Sequence, residues 1–115
     1  MKRQYRLRRN SDFQRVRRDG KIKASPLVVL AFLRNNLDHS RFGFVVSKRL
    51  GGAVQRNKIK RRMREAARLR IPCIRAGYDY VFIARGPISQ ATYQEIETTI
   101  EYLLKKNDML LTDTE

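Results

Sequence analysis

Cysteine occurs once in this 115-residue chain, at Cys73. A single thiol excludes an internal disulfide and fits a reducing compartment, the cytoplasm. Cys73 follows Pro72, with no Cys or His close by, and reads as a small buried hydrophobe. Histidine also occurs once. His39 sits in a turn-like stretch with no evident acid partner and reads as a surface residue. Acids are scarce, 11 in all, and Asp12, Asp19, Asp38, Glu65 and Asp79 show no metal-ligand spacing. The sequence therefore offers no catalytic constellation and no metal site of its own. No apolar run approaches the ~18 residues of a membrane span. The opening MKRQYRLRRN has no apolar signal core. The expectation is a soluble cytoplasmic protein without a membrane partner.

Positive charge is what the chain has in excess. It carries 26 Lys and Arg, a net charge of +15. Such charge makes a compact state repel itself, so a polyanionic partner is expected. The distribution is uneven. Residues 1–94 hold 24 basic and 5 acidic side chains, whereas residues 95–115 hold 2 and 6. The polyanion belongs against the body of the domain, with the C-terminal element turned away from it.

The length suits one domain over 1–115, with a basic arm at 1–10 and a tail at 107–115 both expected to be mobile. SDFQRVRRDG reads as a short helix with Ser11 as N-cap, Gln14 closing a capping box and Gly20 as the stop. SPLVVLAFLRN reads as a strand buried on both faces. In the next strand, RFGFVVSK, Phe42, Phe44 and Val46 alternate onto one face, and Gly43, Val45 and Ser47 onto the other. A basic helix runs from about Ala53 to Arg70 and stops before Pro72. YDYVFIAR is a further strand. SQATYQEIETTIEYLLKK is an amphipathic helix with Tyr93, Ile96, Ile100, Leu103 and Leu104 inward, capped by Ser89 or by the Thr92–Glu95 pair. The expected architecture is α+β: a mixed central sheet packed by helices in the order α-β-β-β-α-β-α, with a βαβ crossover.

The basic helix carries the functional argument. AVQRNKIKRRMREAAR, residues 53–68, holds seven Lys or Arg among sixteen residues and only one acid, Glu65. At 100° per residue, Ile59, Met63, Ala66 and Ala67 form a packing stripe. Asn57, Lys60, Arg61, Arg64 and Arg68 form a ridge on the opposite side, flanked by Lys58 and Arg62. Like charges at i+3 and i+4 destabilise a helix by a few tenths of a kcal/mol per pair. A solvated face normally mixes signs, which this one does not. Phosphate is the natural partner, held bidentately by Arg and as a point contact by Lys. Asn57 suits either a contact to RNA or a cap near the helix start. No zinc-ligand, heptad or helix-turn-helix pattern is present. An aromatic sheet beside a basic helix suits single-stranded nucleic acid, with Phe13, Phe42 and Phe44 as stacking candidates. Core packing is the better reading for at least two of the three.

SKRLGGAVQRNKIKRRMRE, residues 47–65, resembles the signature of the bacterial ribonuclease P protein family. The matching positions are Ser47-Lys48-Arg49, Gly51, Ala53-Val54, Arg56-Asn57-Lys58, Ile59-Lys60-Arg61 and Arg64-Glu65. LRRNSDFQRVRRDGK and YDYVFIARGPISQATYQE resemble the family's first helix and its last strand and helix, so the likeness covers about residues 6–106. The resemblance implies a small basic partner, monomeric when free, of a large catalytic RNA. Together they remove the 5′ leader from precursor tRNA, with Mg²⁺ bound through the RNA and no cofactor on the protein alone. It implies a left-handed crossover, against the usual hand. It also implies that Arg56, Asn57, Lys58, Lys60, Arg61 and Arg64 contact RNA, with Lys48 and Arg49 near the helix entry, and that Phe13 lines a leader cleft. Arg68 of the ridge joins the RNA-binding candidates, and Arg17 and Phe44 join those of the cleft. Lys58 stands where the motif has a second Arg, which loses the bidentate fork. Arg17 stands where the family often has an aromatic ring. A structural RNA-binding protein and a stand-alone nuclease are the rival readings of the composition.

Overall fold

The sheet is built from two apolar strands that each bury both faces. The computed structural model describes residues 1–111. Among these are three α-helices, α1 (Asn10–Asp19), α2 (Ala53–Arg68) and α3 (Tyr93–Lys106), and four strands. The strands are β1 (Lys21–Ala24), β2 (Val28–Arg34), β3 (Arg41–Val45) and β4 (Tyr78–Ala84). Their spatial order is β1-β2-β4-β3. β2 pairs antiparallel with β1 and β4, while β3 pairs parallel with β4. α2 is the crossover that this parallel pair requires. The order is the expected α-β-β-β-α-β-α.

Alternation along the strands decides which helix each face receives. Leu30, Phe32, Tyr80 and Phe82 face α2 and α3 and are buried with Ile59, Met63, Ile96 and Ile100. Ala31 and Val81 face the other way and pack under Val16 of α1. α3 begins with the capping box on Thr92. Glu95 N–H donates to Thr92 Oγ1 (3.1 Å), and Thr92 N–H donates to Glu95 Oε1 (2.8 Å). α3 lies beside α2, and Glu97 and Glu101 take up Arg70 at 3.3 and 3.4 Å.

Several expectations change. α1 begins at Asn10, with Arg9 at the N-cap position and no side-chain cap, so Ser11 lies within the first turn. Gly20 does end α1, but at φ −85°, outside the left-handed region. Glycine is needed there because a Cβ would stand 2.5 Å from the carbonyl oxygens of Phe32 and Val16. α2 ends two residues early, where Arg70 N–H bonds to Ala67 O and a 3-10 turn, Ile71–Cys73, carries Pro72. That turn lies at the surface, so Cys73 is exposed rather than buried. His39 has an acid neighbour after all, with Nδ1 2.9 Å from Asp38 Oδ1.

The segment read as a basic arm packs on the sheet edge. Arg6 bridges Phe42 in parallel, Leu7 N–H donates to Phe42 O (2.9 Å), and the Leu7 side chain is buried. Residues 109–111 also dock. Arg75 N–H donates to Met109 O (2.7 Å) and Leu111 N–H to Cys73 O (2.6 Å). Residues 112–115 of the expected tail lie outside the described residues. No described helix is long and apolar enough to cross a membrane.

Candidate RNA interface

α2 divides along its length as the wheel requires. Ile59, Met63, Ala66 and Ala67 are buried against the sheet and α3. Asn57, Lys58, Arg61 and Arg68 are exposed. The helix is entered through a 3-10 turn, Lys48–Leu50, and Gly51-Gly52. Ser47 Oγ accepts the Arg49 N–H (3.2 Å), which sets that turn and leaves Lys48 and Arg49 exposed at the mouth of the helix. Asn57 does not cap. Gly52 holds the N-cap position with no side-chain bond, so the Asn57 amide is free to face a partner. Arg56 leans back on the helix start, with Nε 3.5 Å from Gly52 O.

Within the ridge, tertiary neighbours separate residues that the wheel treats alike. Arg68 pairs with Glu65, Nε donating to Oε1 at 3.2 Å with a second, closer Nη2–Oε2 contact. Lys60 and Arg64 are partly buried and turn into a cleft at the outer edge of β3. The Arg64 guanidinium carbon lies 5.9 Å from the Phe44 ring centroid, within cation–π range. Burial, and then the like charge of Arg6, lower the Arg64 pKa from its ordinary value. The group nevertheless stays cationic.

The cleft has a volume of about 190 Å³. Phe13 of α1, Phe44 of β3, and Lys60 and Arg64 of α2 line it, with Arg6, Leu7, Phe42 and Gly43 completing the walls. Phe42 is core, 2% exposed and stacked on Tyr80 at 5.3 Å. Phe44 stacks on Phe82 at 5.6 Å but keeps part of its surface open. Phe13 lies over Gly43, where a Cβ would stand 2.3 Å from its Cε1. Only a glycine in β3 lets the ring come this close. Arg17, one turn further along α1, is exposed and stands outside the cleft lining. The site thus joins two half-buried aromatic rings to two cations. Such surfaces stack bases and bind the phosphates between them.

The ribonuclease P family model matches residues 1–108. The chain belongs to the ribonuclease P protein family. The ribonuclease P protein component of Roseiflexus castenholzii is 47% identical over 107 residues, 92% of this chain and 88% of that protein. That of Clostridioides difficile is 42% identical over 104 residues, 90% of this chain and 91% of that one. The solved RNase P protein of Staphylococcus aureus matches with a TM-score of 0.86 at 38% identity, covering 92% of this chain and 97% of that one. The Thermotoga maritima RNase P protein matches at 0.81 and 34%, covering 88% and 96%. As a ribonuclease P protein the chain is a subunit of a tRNA-processing endoribonuclease and a partner of its RNA subunit.

This ribonuclease P protein also contains a polar network that the sequence reading passed over. Asp79, in the middle of β4, is fully buried. Its oxygens accept from Arg41 Nε (2.9 Å) and Nη2 (2.8 Å), Arg15 Nη2 (2.8 Å) and Asn35 Nδ2 (2.9 Å). The network ties α1, β3, β4 and the β2–β3 turn together directly behind the N-terminal segment. The available signal was an acid inside the apolar run YDYVFIAR, since an unpaired carboxylate is almost never buried.

Proposed function

We propose that the α2 ridge binds the catalytic RNA and that the cleft beside it holds the single-stranded 5′ leader of precursor tRNA. The observation that carries this reading is the cleft itself, in which Phe13 and Phe44 meet Lys60 and Arg64. Bases of a single strand stack on rings of this kind, whereas a duplex hides its bases from them. The cations beside the rings neutralise the strand's phosphates, and the exposed Lys58 and Arg61 do the same for the larger RNA. The protein thereby brings two polyanions together. In this reading the RNA cuts the leader and Mg²⁺ acts through it. The most enclosed carboxylate, Asp79, suits no Mg²⁺ site, because two guanidiniums and an amide already take up its oxygens. A free protein that is monomeric and cytoplasmic completes the proposal.

The test is cleavage of a precursor tRNA at low Mg²⁺ by protein alone, catalytic RNA alone, and both together. Cleavage at the mature 5′ end by the mixture only is the expected result. Cleavage by the protein alone would make it a nuclease, and a mixture no better than RNA alone would make it a structural RNA-binding protein.

Gly43→Ala probes the cleft. The added Cβ meets the outer atoms of the Phe13 ring, at 2.3 and 2.6 Å, so the ring rather than the backbone must give way. A stability loss of about 1 kcal/mol is expected, at the lower end of overpacking costs. Precursor binding should weaken severalfold while binding of mature tRNA stays the same. Denaturant titration and paired binding measurements read both effects, and an equal loss for the two tRNAs would remove Phe13 from leader binding.

A further inference from the structure

A second, larger cavity lies next to the aromatic cleft. It has a volume of about 530 Å³ and is lined by Arg3, Arg6, Arg8, Arg9 and Arg41, with Gln4 and one acid, Asp12. Five guanidiniums face one carboxylate. Arg41 is fixed from below by Asp79, through two bonds of 2.9 and 2.8 Å, and by Asp12, whose Oδ2 lies 3.6 Å from Arg41 Nη1. Asp12 is also drawn toward Arg15 at 3.9 Å, so its charge is shared. Among the described residues, Arg3, Arg6, Arg8 and Arg9 have no acid within ion-pair distance. The cavity also opens at the start of α1, where Arg9 caps with no side-chain bond. Free N–H groups and the positive end of the helix dipole add to the field there.

Four unpaired guanidiniums around one space repel each other and call for an anion. The shape indicates which one. Arg6 lines both this cavity and the aromatic cleft, so the two adjoin at its side chain. A chain leaving Phe13 and Phe44 therefore passes Arg6 and enters the arginine cradle. The cradle is in the size range of ligand sites, and its donors suit bidentate capture of phosphate.

We infer that this arginine cradle binds successive backbone phosphates of a single-stranded RNA that continues out of the aromatic cleft. This rests on the proposed function above and extends it to nucleotides beyond the stacked bases. That strand is the leader, and binding to the catalytic RNA alone tests the other source of phosphate.

Holoenzyme is assembled with wild type, Arg8→Ala/Arg9→Ala or Arg8→Lys/Arg9→Lys. Each is titrated with mature tRNA and with precursors of increasing leader length, and each protein is also titrated with catalytic RNA alone. Arg8 and Arg9 are exposed and line only the cradle, so circular dichroism should show an unchanged fold. With wild type, affinity should rise as the leader lengthens. The Ala variant should lose that rise, binding the longest precursor about tenfold more weakly, with a log–log salt slope lower by about 1.4 for two lost single-strand contacts. The Lys variant should recover part of the loss. If affinity for the catalytic RNA falls by a similar factor and the leader effect is intact, the cradle holds phosphates of that RNA and its assignment to the leader strand is overturned. If wild type shows the leader effect and the Ala variant matches it in both titrations, the cradle is refuted while the cleft stands. If wild type shows neither leader dependence nor affinity for the catalytic RNA, both proposals fall.

Discussion

Asp79→Ala should unfold this protein more readily than any substitution on its surface. The carboxylate is fully buried and accepts from Arg15, Arg41 and Asn35. Removing one partner of a buried pair typically costs 3–5 kcal/mol, because the opposite charges stay behind unpaired. The two arginines here keep 34% and 25% of their side-chain surface and can partly rehydrate, so the lower end applies, about 3 kcal/mol. For a domain of this size that is a fall in Tm of roughly 12 °C. Urea and thermal unfolding measure it. A loss below about 1 kcal/mol would mean that water replaces the carboxylate without strain, and that the network positions Arg41 without holding the fold. The change should also weaken RNA binding in the remaining folded protein, since Arg41 is held in place by this acid.

The other large effect is expected on the α2 ridge. Lys58→Ala/Arg61→Ala, at the two exposed cations assigned to the catalytic RNA, should raise its Kd roughly a hundredfold at moderate salt, as two charge-assisted contacts are lost. The slope of log K against log salt should fall by about 1.6, at roughly 0.7–0.9 for each of the two phosphates released. Arg68→Ala should have a much smaller effect. Its guanidinium is already engaged by Glu65, so binding RNA would first break that pair. Filter binding across a salt series, with the three proteins side by side, tests this ranking. A double variant within twofold of wild type at every salt concentration would leave the ridge as a solvated face.

These two predictions draw on different depths of information. The ridge was legible from spacing. Ile59, Met63, Ala66 and Ala67 recur on one side of a 3.6-residue period, and they are the four buried residues of α2. The alternation of Phe42, Gly43 and Phe44 was equally plain, as was the Thr92–Glu95 capping box. The resemblance to the ribonuclease P family was readable because its motif lies in one unbroken stretch. β1, with the sequence KIKA, was not placed from sequence. All four of its residues are exposed at the sheet edge, so no burial pattern marks it. The segment at residues 1–10 looked free because its attachment, Leu7 to Phe42, crosses to another element.

The sequence by itself determined which residues turn inward along each element, the sign and location of the charge, and the family. Each of these is a property of neighbours within about two turns or one strand, where the covalent geometry leaves few choices. Tertiary structure decided the rest. It turned Lys60 and Arg64 into a cleft while Arg61 stayed in solvent, although all three share a ridge. It set Phe13 over Gly43, and it assembled five arginines from the N-terminal segment and β3 around one space. It joined Arg15 to Asp79 across 64 residues. Such contacts depend on strand register and on where a crossover helix lands, and a periodic pattern within one element carries no information about either.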